Sequence, residues 1–249
     1  MRENGARRAA QAMSDYRRRT IDALKPNDTL GVGLYSLPEA VRLLKTPRRT
    51  LERWMEGYVR RLRGGEKAYA PIIEWDAGSP LTFGDLVELM YVRGFRNGGV
   101  PLDEIRRAAA KYRVDWGTPY PLATKRFASY GKNLLLQEGE LWRHALSGQH
   151  SLQFDELGRR LVHRGDLTAE WRPLGADHEV VLNPERALGK PIDNLSGAHT
   201  FVLFQSMEAG GTPAKIAWWY GTTEAAVLDA IEFERDLLTP HAGGKGLAA

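Results

Sequence analysis

The clearest run of apolar positions at helical spacing begins at Ser36. Ser36 and Glu39 stand three residues apart with Pro38 between them, the pattern of a capping box at the start of a helix. Apolar residues then recur on one helical face, at Ala40, Val41 and Leu44. A second start signal follows at Thr46 and Pro47, and the apolar face after it is Leu51, Trp54 and Met55. Two short helices joined by a tight turn predict a helix-turn-helix.

The polar side of the second predicted helix is basic, which suits DNA recognition. In a helix-turn-helix the start of the second helix enters the major groove, where arginine reads guanine edges and phosphates. Residues 59–63 alternate imperfectly, residues 64–67 have turn chemistry and residues 68–75 can return as a strand, so a basic wing is predicted. The predicted DNA-binding residues are Ser36, Arg48, Arg49, Thr50, Arg53, Tyr58, Arg60, Arg61, Arg63 and Lys67. The alternative is a helical hairpin that packs for stability alone, with solvated arginines.

The middle of the chain combines helices with short strands. Thr82 is expected to cap a helix that runs through Val92 and is broken at Gly98-Gly99. Another helix is expected from about residue 101 to Tyr112, with Arg106, Arg107 and Lys111 on its outer face. Residues 131–175 form a β-rich connector with two or three strands between residues 132 and 153. Residues 157–162 fit a strand or a short helix equally well.

The C-terminal third predicts three short helices. They are expected at residues 200–208, from the cap-plus-proline pair Thr212-Pro213 to Gly221, and after a cap at Thr222. The middle helix ends in three consecutive aromatic residues, which one helix face cannot bury together. At least one must be exposed or covered by a partner, although core packing with a partly exposed rim remains the alternative. The predicted partner-binding residues are Lys190, Trp218, Trp219, Tyr220 and Arg235.

Charge separates the two ends of the chain. The 249 residues carry a net charge of +4, but residues 1–70 hold 16 basic and 8 acidic side chains, whereas residues 176–249 hold 5 and 10. This asymmetry suggests different partners, with a polyanion at the basic end. Residues 1–30 are expected to be a basic flexible tail and residues 240–249 a second flexible tail. The absence of cysteine and of any apolar run long enough to cross a bilayer favours a cytoplasmic protein without a membrane span.

Catalysis has little support in the sequence, and we expect no catalytic residues, metal or cofactor. The six histidines never fall at the spacing that places two ligands on one helix face. Gly31-Val32-Gly33 and Gly64-Gly65 lack the other glycines of a nucleotide-binding loop. The carboxylate pairs Asp103-Glu104 and Asp155-Glu156 are expected in solvated positions, and no Gly-x-Ser-x-Gly elbow occurs.

The helix-turn-helix segment resembles the N-terminal winged helix of MerR-type regulators. The residues concerned are Tyr35-Ser36-Leu37-Pro38-Glu39-Ala40 and Thr50-Leu51-Glu52-Arg53-Trp54. Glu52 stands where those regulators usually carry arginine. Because its carboxylate would repel phosphate, we expect base reading to shift to Arg48, Arg49 and Arg53.

A second resemblance covers nearly everything from Tyr35 to Leu238. The matching C-terminal segments are Val181-Leu182-Asn183-Pro184, Gly189-Lys190-Pro191 and Ala230-Ile231-Glu232-Phe233-Glu234. They are similar to the bacterial family called domain of unknown function 433, and upstream segments such as Phe83-Gly84-Asp85-Leu86-Val87 match its longer, two-domain members. This resemblance implies a VapB-type antitoxin that neutralises a PIN-domain ribonuclease toxin and represses its own operon. An inserted lysine or arginine could block the acidic site of such a toxin.

These observations predict an α+β protein in three parts. Residues 31–130 form a MerR-like winged helix-turn-helix with a helical extension, residues 131–175 the β-rich connector, and residues 176–239 a trihelical, homeodomain-like module. Its charge of −5, counted to residue 249, argues against phosphate binding by that module. The expected partners are double-stranded operator DNA, bound as a homodimer, and the toxin. Alternatives are a stand-alone regulator whose C-terminal module senses a ligand or only dimerises, and an interaction adaptor that has lost DNA binding.

Overall fold

A computed structural model shows an α+β architecture with a helix-turn-helix near the N-terminus. It describes residues 31, 33–124, 126–130, 133–138, 141–145, 160–164 and 167–239. Both predicted tails lie outside the described residues, as does the pair Asp155-Glu156. Each described sheet is small and antiparallel, with two strands or three.

The elements follow one another in a simple order. The N-terminal part contains β1 (Gly33–Tyr35), α1 (Leu37–Leu44), α2 (Arg48–Glu56), β2 (Tyr58–Leu62), β3 (Gly65–Tyr69), β4 (Leu81–Thr82), α3 (Phe83–Asn97) and α4 (Leu102–Trp116). The middle contains β5 (Phe127–Tyr130), β6 (Asn133–Glu138), β7 (Leu141–His144), β8 (Leu161–Arg164) and β9 (Leu167–Trp171). The C-terminal part contains β10 (Val180–Val181), β11 (Ile192–Asp193), α5 (Thr200–Glu208), α6 (Pro213–Tyr220) and α7 (Glu224–Leu238).

The structure confirms the predicted helix cap at Ser36 and corrects the predicted starts at Thr46 and Thr222. Ser36 caps α1, and the side chain of Glu39 accepts a hydrogen bond from the backbone of Ser36 in return. Thr46 does not cap α2, because its hydroxyl donates to the Leu44 carbonyl at 2.9 Å and Pro47 occupies the cap position. The cap of α7 is Thr223 rather than Thr222. In both cases the true helix begins one residue later than the sequence pattern suggested.

The segment predicted to be a wing forms a β-hairpin, which is tighter than predicted and is called the wing below. Strand β2 pairs with β3 in a register that places Leu62 opposite Gly65, so only Arg63 and Gly64 form the turn. Lys67 therefore lies in a strand instead of a turn, and the return strand ends at Tyr69 instead of continuing to residue 75. Pro71 has no backbone N–H to extend the ladder, which accounts for the early end.

Helices α3 and α4 form the scaffold behind the helix-turn-helix. Thr82 caps α3 with Asp85 in a second capping box, and most of α3 is buried. Two expectations for α4 are wrong. Arg106 is buried instead of on the outer face, and Glu104 is buried and accepts a 2.8 Å hydrogen bond from the Leu134 amide. Buried charges need such partners, and a helical pattern does not reveal them.

The apolar side chains form a large core and a small one. The large core contains side chains from the four helices α1, α2, α3 and α4, from the middle strands, and Phe233 of α7. The small core lies among the three C-terminal helices and contains Leu203, Ile216, Ala217, Val227, Ala230 and Ile231. Because Phe233 belongs to the large core, the C-terminal helices pack directly against the N-terminal part. The predicted domain boundaries remain a prediction.

Candidate nucleic-acid interface

Helix α2 presents two stripes of polar side chains. Arg48 and Glu52, four residues apart, form an ion pair with 2.7 Å between Nε and Oε1. Arg49 and Arg53 have the same spacing and therefore share the neighbouring stripe. The guanidinium of Arg48 thus compensates the carboxylate of Glu52, and the second stripe keeps its positive charge.

Arg53 is held in place by aromatic rings from the wing. Its guanidinium lies 4.0 Å from the ring centre of Tyr58, the first residue of β2. Tyr58 stacks on Tyr69 at the other end of the hairpin, with 4.7 Å between ring centres and 13° between ring planes. Arg106 of α4 also contacts this tyrosine pair. Its guanidinium lies 5.4 Å from the ring centre of Tyr69, and its Nε donates a hydrogen bond to the Ala70 carbonyl. Tyr69 and Arg106 were missed as site residues, because the hairpin register brings Tyr69 here and the packing of α4 against the hairpin brings Arg106.

The wing carries cations on both of its faces. Arg60 lies directly opposite Lys67 in the hairpin register, so two positive side chains share the face that also carries the tyrosine pair. Like charges directly opposite each other are unfavourable unless an anion lies between them. On the other face Arg61 is paired with Glu66 at 3.0 Å. Arg63 is exposed in the turn.

We use the name basic face for Arg49, Arg53, Arg60, Arg63 and Lys67. Within the described residues, Arg49, Arg60 and Arg63 form no hydrogen bond or ion pair through their side chains. The ammonium of Lys67 lies 3.9 Å from Asp103, a long contact between two exposed groups. Exposed pairs of this kind contribute little, so the basic face keeps most of its charge for an external anion.

Two other predicted DNA-binding residues have local structural roles. The hydroxyl of Ser36 donates to the Glu39 carboxylate at 2.8 Å and also accepts the Glu39 amide of the capping box. Thr50 is half-buried in the first turn of α2, where its backbone N–H donates to the Pro47 carbonyl at 2.8 Å. The contact of either residue with DNA remains a prediction.

The predicted partner-binding residues divide into exposed and internal groups. Trp218 and Trp219 are exposed to 80% and 56%, whereas the half-buried Tyr220 packs against the small core. The sequence argument that three consecutive aromatics cannot all be buried is therefore confirmed. Arg235 is exposed, 3.9 Å from Glu208. Lys190 instead bonds to the Glu39 carboxylate within the chain.

The Glu39 and Lys190 pair joins the C-terminal part to α1. Lys190 also donates to the Leu34 carbonyl at 3.3 Å. Burial raises the pKa of Glu39, but hydrogen bonds from Lys190 and Ser36 outweigh burial and leave the pKa below its ordinary value. A further ion pair joins Lys45, in the turn of the helix-turn-helix, to Asp236 of α7. No sequence signal predicts these contacts, because the partners lie more than a hundred residues apart.

Two further features are absent from the described part of the chain. No helix there is long and apolar enough to span a membrane. Nor does any group of three or more His, Asp or Glu side chains in those ranges have an arrangement that could hold a metal ion.

Comparison with known proteins supports the helix-turn-helix assignment. Residues 33–109 match a family model described as "Putative DNA-binding HTH domain". The chain is 28% identical to a Mycobacterium tuberculosis protein named "Putative antitoxin VapB45", over 81% of this chain and 93% of that protein. It is also 25% identical to Rv2308 of the same organism, over 81% of this chain and 90% of that protein. The crystal structure of Rv2018 from Mycobacterium tuberculosis matches with a TM-score of 0.56 and 25% identity, covering 80% of this chain and 98% of the other.

These matches agree with the geometry of the N-terminal part. The matched residues begin in β1 and extend into α4, so they include both helices of the helix-turn-helix, the wing and the basic face. The chain therefore carries a helix-turn-helix domain of a DNA-binding kind. Over most of its length it is similar to the protein named "Putative antitoxin VapB45".

Proposed function

We propose that the chain is the antitoxin of a type II toxin–antitoxin pair, and that its MerR-like winged helix-turn-helix binds operator DNA. The DNA-binding part of this proposal rests on the basic face, where three exposed arginines have no hydrogen-bond or ion-pair partner within the described residues. Arg49 and Arg53 lie on the helix that would enter the major groove, and Arg60, Arg63 and Lys67 would follow the phosphate backbone.

Operator binding is proposed to involve a homodimer that represses its own operon. One helix-turn-helix buries little DNA surface, so a single copy discriminates weakly among sequences. Two copies related by twofold symmetry would read two half-sites about one helical turn apart. Light scattering of the purified chain, alone and with the DNA, measures this stoichiometry.

DNA binding is tested with the DNA upstream of the gene. In fluorescence anisotropy at moderate salt, Arg49→Ala combined with Arg60→Ala should weaken binding by about a hundredfold, since each lost charged contact costs about 1–3 kcal/mol. Lys215→Ala is the control, because Lys215 is an exposed cation on α6 that is not part of the basic face. If the double variant and the wild type bind the DNA with equal affinity, the basic face is not the DNA-binding surface.

The toxin-binding half is supported by the relative named as an antitoxin and by the exposed tryptophans. Adjacent exposed tryptophans are typical of binding hot spots. A PIN-domain ribonuclease is the proposed partner, with Trp218 and Trp219 in the interface. Because Lys190 is engaged with Glu39, Arg235 is the better candidate among these residues for a cation that enters an acidic toxin site.

Co-expression with the product of the adjacent gene tests the toxin claim. We expect co-purification and rescue of growth, and Trp218→Ala combined with Trp219→Ala should abolish both while leaving the melting temperature nearly unchanged. Leu228→Ala, another exposed apolar residue of the C-terminal part, is the control. If the adjacent product neither co-purifies nor inhibits growth, the antitoxin proposal fails. A stand-alone MerR-like regulator, our second candidate, would then account for any operator binding.

A further inference from the structure

A cleft of about 310 Å³ lies between the helix-turn-helix and the C-terminal helices. One wall is α1, with Glu39, Arg42 and Leu43. The opposite wall consists of Lys190, the first turn of α5, and Glu234 and Leu237 of α7. This volume lies at the lower end of the range for small-molecule sites. None of the predicted DNA-binding residues lines the cleft. Ser36 is the nearest to it in the chain, since it forms a hydrogen bond with the lining residue Glu39.

The acidic groups in the cleft are already engaged. One oxygen of Glu39 accepts from the backbone and hydroxyl of Ser36, and the other accepts from Lys190. Glu234 accepts a hydrogen bond from the hydroxyl of Thr200. Burial has the largest influence on the pKa of Glu234 and raises it above its ordinary value, although the hydrogen bond from Thr200 and the positive charge of Arg42 both act to lower it.

The polar side chains that remain available are nitrogen donors. Arg42 is exposed and forms no hydrogen bond or ion pair through its side chain within the described residues. The same is true of the imidazole of His199, which precedes α5. A guanidinium at the mouth of a cleft favours an oxygen anion, since charge-assisted hydrogen bonds are about twice as strong as neutral ones.

The rest of the lining is apolar. Phe201 and Val202 line the cleft together with the buried Leu43 and remain 53% and 37% exposed. Pro191 and Leu237 complete this surface. An apolar wall beside an available guanidinium matches a ligand that has a hydrocarbon body and a single anionic end.

We infer that the cleft is a binding site for a small organic acid, in which Arg42 binds the carboxylate and Phe201 and Leu43 cover the hydrocarbon body. Such a ligand would contact α1 and α5 together, so its binding would stabilise the packing of the C-terminal helices against the helix-turn-helix. The inference goes beyond the proposed function and needs neither DNA nor a toxin to be tested.

The test uses the full chain and the dye 1-anilinonaphthalene-8-sulfonate, which has an apolar body and one anionic group. We expect a saturable fluorescence increase at one site per chain, weakened about tenfold by Arg42→Ala, the usual scale for loss of a charged hydrogen bond. Phe201→Ala should weaken dye binding by a comparable factor. The matched controls are Arg49→Ala, an exposed arginine outside the cleft, and Trp218→Ala, an exposed aromatic outside it.

Competition separates charge recognition from simple apolar adsorption. Octanoate should displace the dye and raise the melting temperature of the wild type, whereas octanol, with the same chain length, should do so much less. Both effects should be lost in Arg42→Ala. Dye binding that is unsaturable, that is unchanged in Arg42→Ala, or that octanol displaces as well as octanoate does would overturn the inference. Melting curves of each variant verify folding, and DNA binding is measured separately.

Discussion

The hydroxyl of Tyr35 donates a 2.6 Å hydrogen bond to the carbonyl of Gly189, 154 residues later in the chain. Tyr35 is fully buried at the end of β1, immediately before the capping box of α1. Burial and the nearby charge of Glu39 both raise the pKa of Tyr35, so its hydroxyl remains a donor at neutral pH. The C-terminal part is therefore bonded to the residue that precedes the helix-turn-helix.

Tyr35→Phe should lower the free energy of unfolding by about 1–3 kcal/mol, because it leaves the Gly189 carbonyl buried without its donor. Denaturant unfolding with a single transition measures the change. An unchanged midpoint would show that water or a backbone shift replaces the hydroxyl. A matched tyrosine for comparison is Tyr220, whose hydroxyl is only partly buried and 3.3 Å from Ser206.

Gly189→Ala should be more destabilising than a glycine-to-alanine change at a similar backbone angle elsewhere. A Cβ at position 189 would lie 2.4 Å from the Tyr35 hydroxyl, and φ there is +71°. Gly221 is the control, with φ of +66° and no atom within 4 Å of its added Cβ. We expect a loss of about 1 kcal/mol for Gly221→Ala and about 3 kcal/mol for Gly189→Ala. Equal losses in thermal unfolding would mean that the contact with Tyr35 relaxes freely.

Tyr58→Ala should weaken DNA binding more than Tyr58→Phe does. The phenyl ring keeps the contact with the Arg53 guanidinium and the stack on Tyr69, whereas alanine removes both, at about 1–2 kcal/mol. The measurement is operator affinity beside the melting temperature of each variant. If Tyr58→Phe lowers operator affinity as much as Tyr58→Ala does, then the hydroxyl itself contacts DNA, and the ring does not act by positioning Arg53.

Arg60→Ala should change the salt dependence of DNA binding. A residue that contacts phosphate releases about one counterion, so the slope of log affinity against log salt should become shallower by about 0.9. Affinity for unrelated DNA should fall by the same factor as affinity for the operator. Arg61→Ala is the comparison on the other face of the hairpin, where Glu66 already compensates the charge. A change in sequence preference for Arg60→Ala would assign it to base reading instead.

His178 gives the chain a pH-dependent contribution to stability. Its Nδ1 lies 2.8 Å from Asp229, and this hydrogen bond, together with nearby acidic charges, raises the pKa of His178 above its ordinary value of 6.5. Because the folded-state pKa is the higher one, the contribution is complete below 6.5 and is lost as pH rises through the folded-state pKa.

Thermal unfolding at two pH values measures this effect. The wild type should exceed His178→Gln in melting temperature by more at about pH 5 than at about pH 8. His199→Gln is the control, because the imidazole of His199 is exposed and forms no hydrogen bond or ion pair within the described residues. An advantage that is the same at both pH values would contradict the assignment to the imidazolium form.

Local signals in the sequence predicted the helices that position the candidate interface. The capping box at Ser36 and Glu39 marked the start of α1, and the start signal at Thr46 and Pro47 marked the start of α2 to within a residue. Spacing along α2 also placed Arg49 and Arg53 on one stripe. These features depend on neighbours within about four residues, so a linear pattern contains them.

Charge patterns were less reliable because they do not record burial. The sequence pattern placed Arg106 and Glu104 in solvent. In the structure Arg106 donates to the Ala70 carbonyl at the end of the wing, and Glu104 accepts from the Leu134 amide of β6. Lys190 looked free for a partner, yet it pairs with Glu39. A charged side chain faces inward only when a distant segment supplies its partner, and that segment is not visible from local spacing.

The sequence by itself determined the helix-turn-helix, the basic N-terminal part and the three C-terminal helices, the middle one ending in three aromatic residues that cannot all be buried. Only the tertiary structure decided which arginines remain without a partner, how the tyrosine pair holds Arg53, and that a cleft lies between α1 and the C-terminal helices. Helix caps and apolar periodicity act over a few residues, whereas ion pairs, ring stacks and clefts depend on where segments far apart in the chain meet.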